Sequence, residues 1–83
     1  MKKTRRAQQR NVIGHRVREA RQRLNAVVSQ DDLAGRLSRF GILLDRSAIS
    51  RIEGQTRYVM DYEAAAIARA LKVSVGWLFG APS

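Results

Sequence analysis

The sequence contains no cysteine among its 83 residues. Disulfide bonds, thiolate metal sites and cysteine nucleophiles are therefore excluded. Histidine is nearly absent as well, because His15 is the only one. It lies in a predicted surface stripe with no second set of metal ligands nearby, so we expect neither a metal site nor a catalytic histidine. Its predicted role is an i, i+4 ion pair with Glu19 at the surface.

Features that enzymes and membrane proteins need are also missing. No glycine-rich phosphate loop and no Ser–His–Asp arrangement is present, and the adjacent Asp31 and Asp32 diverge on a helix. No apolar run approaches the ~18 residues of a membrane span, and no apolar segment follows the basic start, as a signal peptide requires. We therefore expect a cytoplasmic protein that is not an enzyme and has no cofactor, membrane partner or small-molecule ligand.

Acidic residues are scarce relative to basic ones. Lys and Arg number 16 against 7 Asp and Glu, which gives a net charge of +9 and a pI near 11.5. Such a charge favours nucleic acid or an anionic membrane surface as the partner. The basic arm lacks an apolar insertion face for a membrane, and two Phe, two Tyr and one Trp are few for a single-strand stacking platform.

The basic charge is concentrated at the N-terminus. Residues 1–10 contain five basic residues, no acidic ones and almost no apolar side chains. They are predicted to form a flexible arm, either one that lies along DNA phosphates or in a minor groove, or a solubilising tail. Residues 11–80 are predicted to form one domain with a modest core, followed by a tail at 81–83.

Apolar periodicity predicts an all-α fold with five helices and no strand. The first helix, at 11–25, has Asn11 as its N-cap. Its core stripe is predicted to consist of Ile13, Val17, Ala20 and Leu24. Its solvent side is predicted to carry the arginines Arg16, Arg18, Arg21 and Arg23.

The second predicted helix follows a turn and begins after Ser29. The run at 29–32 resembles a capping box with Asp at its last position, and Gly41 is a natural stop. The apolar connector at 41–44 is predicted to plug into the core before the third helix begins. The inward residues of the second helix are predicted to be Leu33, Ala34 and Leu37, with Phe40 as a further candidate.

Two more helices are predicted beyond a polar loop. Asp61 is the expected cap of the fourth helix, at 61–71. Its core stripe is predicted to consist of Ala64, Ile67, Ala68 and Leu71. Ser74 is the expected cap of a last short helix that ends at Gly80, with Trp77 as a core residue.

The stretch 45–54 is predicted to be a short helix with two different faces. Asp45 is its expected N-cap, and Gly54 is the expected left-handed stop. Its buried stripe is predicted to consist of Ala48, Ile49 and Ile52. Its exposed face is predicted to consist of Arg46, Ser47, Ser50 and Arg51. Arginine can bind O6 and N7 of guanine together and serine adapts to several bases, so this face has the donors for base reading, although many surface helices share its pattern.

Four segments of the sequence, in the order in which they occur along the chain, carry a resemblance to a known family. They are IGHRVREAR at 13–21, SQDDLA at 29–34, SAISRIEG at 47–54 and IARALKVSVGWL at 67–78. Together they resemble the lambda-repressor-like (Cro/XRE-type) helix-turn-helix family over about residues 12–80. The resemblance implies a compact five-helix bundle that binds DNA through its third helix.

The resemblance also implies roles for particular residues. Gln30 occupies the position where the family holds a phosphate and braces the recognition helix, and Glu53 resembles a structural acid that ends that helix. Base reading falls to Arg46, Ser47, Ser50 and Arg51. Contacts to the DNA backbone fall to Gln55, Thr56, Arg57 and Tyr58, whose amide, hydroxyl, guanidinium and phenol groups can all donate to phosphate oxygens.

One segment departs from the family pattern. The chain between Ala34 and Ile49 is longer than in compact members, and the insertion falls around 38–44. The connection between the second and third helices is therefore predicted to be lengthened.

These observations lead to one leading hypothesis and two alternatives. The leading one is a sequence-specific double-stranded DNA-binding transcriptional regulator whose third helix, at about 45–53, reads the major groove. A palindromic site would require a homodimer, formed through the fifth helix or the connector at 42–44. The alternatives are a protein-interaction or antitoxin-like module of the same fold, which has no need for exposed Arg46 and Arg51, and a non-specific nucleic-acid binder.

Overall fold

The computed structural model describes residues 9–23 and 27–82. Within these residues the fold is all-α, as predicted. It consists of α1 (Gly14–Arg23), α2 (Gln30–Ser38), α3 (Arg46–Glu53), α4 (Asp61–Leu71) and α5 (Val75–Leu78). None of these five helices is long and apolar enough to cross a membrane. Most of the predicted arm at 1–10, together with Leu24 and Ser83, lies outside the described residues.

One apolar core lies between the helices. α2 packs against α3 and α4, while α1 packs against α3, α4 and α5. The largest fully buried side chains are Ile13, Val17, Val28, Leu33, Leu37, Ile49, Ile52, Ile67, Leu71 and Leu78. The predicted inward residues are buried where they are described, except that Ala34 is half-buried and Phe40 is exposed. The guanidinium of Arg69 lies over the Phe40 ring, 4.5 Å from its centre, so this ring packs on a cation at the surface.

α1 and α3 approach each other closely at Gly14. A Cβ atom at this position would collide with the carbonyl oxygens of Ile52 and Glu53. α1 begins at Gly14, three residues after the predicted start, so Asn11 precedes the N-cap position. The Asn11 Oδ1 accepts the Gly14 N–H at 2.9 Å, and its Nδ2 donates to the carbonyl oxygens of Ile52 and Arg57 at 3.1 and 2.9 Å. The start of α1 is thereby fixed on the C-terminal end of α3.

Side-chain caps begin three helices as predicted. Ser29 Oγ accepts the Asp32 N–H, and the Asp32 carboxylate accepts the Ser29 N–H in return. The backbone N–H of Ser29 holds the pKa of the Asp32 carboxyl below its ordinary value. Asp45 Oδ1 accepts the Ala48 N–H at 2.8 Å to begin α3, and Ser74 caps α5 in the same way. These bonds satisfy amide groups that a helix start leaves without partners.

The predicted N-cap of α4 and the predicted left-handed residue after α3 are each wrong by one position, although α4 spans Asp61–Leu71 and α3 ends at Glu53 as predicted. Met60, and not Asp61, occupies the N-cap position of α4, where the Glu63 carboxylate accepts its N–H at 2.9 Å. Gly54 keeps a right-handed backbone after α3, and Gln55 takes the left-handed conformation with φ 63°. Glu63, three positions after Met60, supplies the hydrogen bond at the start of α4. At the end of α3, the Gln55 backbone N–H donates to the Ile52 carbonyl oxygen at 3.0 Å.

The connector between α2 and α3 divides its apolar residues between the core and solvent. Gly41 has the left-handed conformation predicted for the stop of α2, with φ 80°. Leu44 is buried and Ile42 packs half-buried against the core, whereas Leu43 between them is 86% exposed. The prediction that the connector plugs into the core is therefore correct for Ile42 and Leu44 and wrong for Leu43.

Candidate nucleic-acid interface

α3 has the two faces predicted from its sequence. Its inward face consists of the buried residues Ala48, Ile49 and Ile52. Its outward face consists of the exposed residues Arg46, Ser47, Ser50 and Arg51. Since a helix of 8 residues is unstable alone, its position depends on the buried face and on its packing against α1 and α2.

Arg51 is ordered by its own helix. Its Nη1 donates to the Ser47 Oγ, one turn earlier, at 2.7 Å. The hydroxyl of Thr56 donates to the carbonyl oxygen of Arg51 at 3.3 Å. A guanidinium has five N–H donors, so the bond to Ser47 leaves most of the fork available to a ligand. Ordering this long side chain in advance lowers the entropy that is lost on binding.

Arg46 lies where the first turns of α2 and α3 meet. Its Nη1 is 3.8 Å from the Asp31 Oδ2, and the two side chains are 69% and 71% exposed. A pair this exposed contributes little to stability, so a phosphate or base can replace the carboxylate at small cost. The open cleft between the two helices is lined by Gln30, Asp45, Arg46, Ser47, Ser50 and Arg51.

A buried polar network fixes the C-terminal end of α3. Arg21 Nε and Nη2 donate to the two carboxylate oxygens of Glu53 at 2.6 and 2.9 Å, and Gln30 Nε2 donates to the same carboxylate at 3.1 Å. The side chains of Arg21 and Glu53 are only 10% and 6% exposed. The hydrogen bond to Glu53 raises the pKa of Arg21 above its ordinary value. The network joins α1, α2 and α3 and thereby holds the orientation of α3.

The burial of Arg21 corrects the sequence analysis, which placed it on the solvent side of α1. It follows the core residue Val17 by four positions and therefore lies on the same side of the helix, which is the sequence signal that was missed. Arg16 is only half-exposed, because its Nη1 donates to the Trp77 carbonyl oxygen at 3.2 Å and its guanidinium stacks on the Trp77 ring. The solvent side of α1 is thus narrower than predicted.

His15 is exposed, as expected, but its predicted ion pair is absent from the described residues. The Glu19 carboxylate pairs with Arg23 instead, at 3.4 Å. Within 9–23 and 27–82, no group of three or more His, Cys, Asp or Glu side chains could hold a metal ion.

Gln55 is used inside the protein. It is buried, its Nε2 donates to the Asn11 carbonyl oxygen at 3.2 Å, and its Oε1 accepts from the Gln9 Nε2 at 3.4 Å. Its own carbonyl oxygen accepts the Arg10 N–H at 2.9 Å. These bonds offset the ~1–2 kcal/mol that a left-handed conformation costs a residue with a side chain. Gln55 therefore stabilises the loop through hydrogen bonds to residues 9–11.

Arg57 is also largely engaged within the protein. Its Nη1 donates to the Glu63 carboxylate at 3.1 Å and to the Tyr58 carbonyl oxygen at 2.8 Å, and its side chain is 29% exposed. Burial raises the pKa of the Glu63 carboxyl, but the hydrogen bonds from Arg57 and from the Met60 N–H outweigh burial and hold it below its ordinary value. Arg57 therefore ties the loop to the start of α4.

Tyr58 and Thr56 are the exposed members of the loop. Tyr58 is 66% exposed, the Arg10 guanidinium lies 5.3 Å from its ring centre, and Arg10 Nη1 donates to its hydroxyl at 3.4 Å. Arg10 is not among the site residues predicted from the sequence. The basic N-terminal segment therefore joins the domain beside the loop that follows α3.

The structure brings the predicted site residues together only in part. Around the cleft it gathers Gln30 with the outward face of α3, and Thr56 adjoins this surface through Arg51. Gln55 and Arg57 instead make internal contacts.

Comparison of the chain with protein-family models, with curated proteins and with solved structures found no match. Its function is therefore inferred from this surface.

Proposed function

We propose that the protein is a sequence-specific double-stranded DNA-binding transcriptional regulator of the lambda-repressor-like helix-turn-helix type, with α3 in the major groove. One observation carries the proposal. The same short helix has one end locked by the buried Arg21–Glu53–Gln30 network and an outward face of exposed donors. A rigidly held helix with exposed arginine and serine side chains is suited to reading base edges.

The residues divide into two kinds of DNA contact. Arg46 and Arg51 can each bind a guanine through two hydrogen bonds. Ser47 and Ser50 complete the base-reading face. Contacts that position the protein on phosphates come from Gln30, Thr56, Tyr58 and Arg10, which border this face or the loop after it. Gln55 and Arg57 act as supports of the loop and make no DNA contact in this proposal.

Charge supplies the attraction that is independent of sequence. The net charge of +9 neutralises phosphates and releases their counterions, so affinity should fall steeply with salt. A purely non-specific binder would use the same charge, but it would have no use for an Arg51 ordered by Ser47.

If the DNA site is palindromic, the proposal includes a homodimer of the protein. Val75 and Phe79 on and after α5 are 44% and 55% exposed, and α5 packs against α1 and α4. These side chains are the apolar surface that a second copy, or another protein in the interaction-module alternative, would cover.

Selection of binders from a random duplex DNA pool at near-physiological salt tests the proposal. We expect an enriched motif, and two-fold symmetry in it would identify a dimeric regulator. Retention of DNA only at low salt, without any enriched motif, would refute sequence-specific reading and leave non-specific binding or the interaction module.

A further inference from the structure

Leu43 is presented outward from a segment whose backbone is held at both ends. It is 86% exposed, more than any other large apolar residue that the structure describes. On its N-terminal side, the Ile42 N–H donates to the Leu37 carbonyl oxygen at 3.0 Å. On its C-terminal side, Leu44 is buried and Asp45 caps α3. Leu43 therefore has a defined place in the lengthened connector between α2 and α3.

A groove connects Leu43 with the outward face of α3. It is lined by Ala34, Ser38, Leu43, Leu44, Asp45, Ala48, Arg51 and Arg57. Arg51 also lines the neighbouring cleft that contains Arg46. The one carboxylate in the groove, that of Asp45, already accepts the Ala48 N–H. A continuous surface thus runs from an exposed leucine, past two arginines, to the face assigned to base reading.

The charge of this surface decides which partner it fits. Arg51 and Arg57 border the groove, and the whole chain carries +9. A second copy docked here would bring like charges together, whereas a nucleic acid carries the opposite charge and is attracted to this surface. The occupant must also offer an apolar group to Leu43. In the DNA major groove, that group is the C5-methyl of thymine.

We propose that Leu43 is a further specificity-determining residue, which contacts the C5-methyl group of a thymine at the edge of the base pairs read by α3. This inference rests on the proposed function. Thymine alone among the four bases has this methyl group, so an apolar contact to it discriminates between bases without a hydrogen bond. Burial of one methyl-sized group is worth about a fourfold change in Kd.

The experiment uses the full chain and a duplex obtained from the selection described above. Each thymine is replaced in turn by deoxyuridine, which removes only the methyl group, and Kd is measured for the wild-type chain and for Leu43→Ala. We expect about a fourfold loss at one thymine beside the bases contacted by Arg51, and no loss at that position in Leu43→Ala. The matched control is Val27→Ala, which truncates an exposed apolar side chain three residues before α2 and should keep the wild-type deoxyuridine profile.

Three outcomes would overturn the inference. A wild-type profile without a sensitive thymine excludes methyl recognition, and an unchanged profile in Leu43→Ala assigns the methyl contact to another residue. If Leu43→Ala instead weakens self-association in sedimentation and lowers affinity equally for every duplex, the groove holds a second copy. Failure of the proposed function gives a different result, because the selection from random DNA would then enrich no motif at all. The inference about Leu43 would be refuted together with it.

Discussion

The outward face of α3 and the loop at 55–58 have similar polar compositions, yet the structure uses them differently. On α3, Arg46 and Arg51 extend from a helix that its own backbone bonds and its buried face already stabilise. In the loop, Gln55 and Arg57 turn back to bond carbonyl oxygens and a carboxylate of the protein. A loop has backbone groups that need side-chain partners, and a helix interior does not. Polar residues after a helix are thus weaker predictors of an interface than polar residues on it.

The largest effect is expected from removing the support under α3. Glu53→Ala leaves Arg21 charged and buried without its carboxylate partner, which should lower the free energy of unfolding by about 3–5 kcal/mol. Denaturant unfolding measures the change. Glu19→Ala is the matched control, because it breaks an ion pair with side chains 57% and 51% exposed and should cost below about 1 kcal/mol. Equal losses in the two variants would contradict the role of the buried network.

The second-largest effect is expected on the recognition of bases by α3, without a change in folding. Arg51→Ala should cost about 1–3 kcal/mol of binding free energy on the selected duplex and little on random DNA, since the lost contact is to a base. Its stability should stay within about 0.5 kcal/mol of wild type. Arg39→Ala is the matched control, because it removes the same charge from an exposed position directly after the C-terminal end of α2. It should change the affinity for both duplexes equally. If Arg51→Ala also affects them equally, Arg51 contacts a phosphate.

The third effect tests the loop. Arg57→Ala removes the partner of Glu63 and should cost about 1 kcal/mol of stability at neutral pH. Because the pKa of Glu63 is held below its ordinary value of 4.5, its carboxylate contributes stability above that value and loses the contribution as the pH falls through the folded-state pKa.

The pH dependence of this variant distinguishes a support from a DNA contact. When the free energy of unfolding is plotted against pH, its fall at acidic pH should be shallower in Arg57→Ala than in wild type. Arg46→Ala is the control, since it removes the same charge from an exposed pair that does not involve Glu63. If Arg57→Ala kept the wild-type fall in stability at acidic pH and greatly lowered DNA affinity, Arg57 would be a DNA contact and not a support of the loop.

The smallest effect is expected at the junction of the basic segment. Arg10→Ala removes one cation that stacks on Tyr58, so the slope of log K against log salt should become shallower by about 1, with an equal loss on all duplexes. Arg69→Ala, on α4 over Phe40, is the control and should keep the wild-type slope. An unchanged slope in Arg10→Ala would remove Arg10 from the phosphate contacts.

Local chemistry made much of the fold predictable. The caps at Ser29, Asp45 and Ser74 were found because a side-chain oxygen and an amide three residues later interact within one turn. The buried and exposed faces of α3 followed from helical periodicity in the same way. The left-handed residue after α3 and the N-cap of α4 were each misplaced by one position, because neighbouring residues supply hydrogen bonds that a rule based on residue type does not weigh.

The sequence by itself determined the five helices, the caps of three of them and the excess of positive charge, because each depends on residues within a turn or two of each other or on composition alone. Only the tertiary structure decided which arginines are free. Arg21 meets Glu53 across 32 positions of chain, whereas the Arg51 guanidinium bonds to Ser47 on its own helix. Periodicity identifies the face that a residue occupies, but the packing of α1 against α3 determines whether a charged side chain on that face is buried with a partner or left for a ligand.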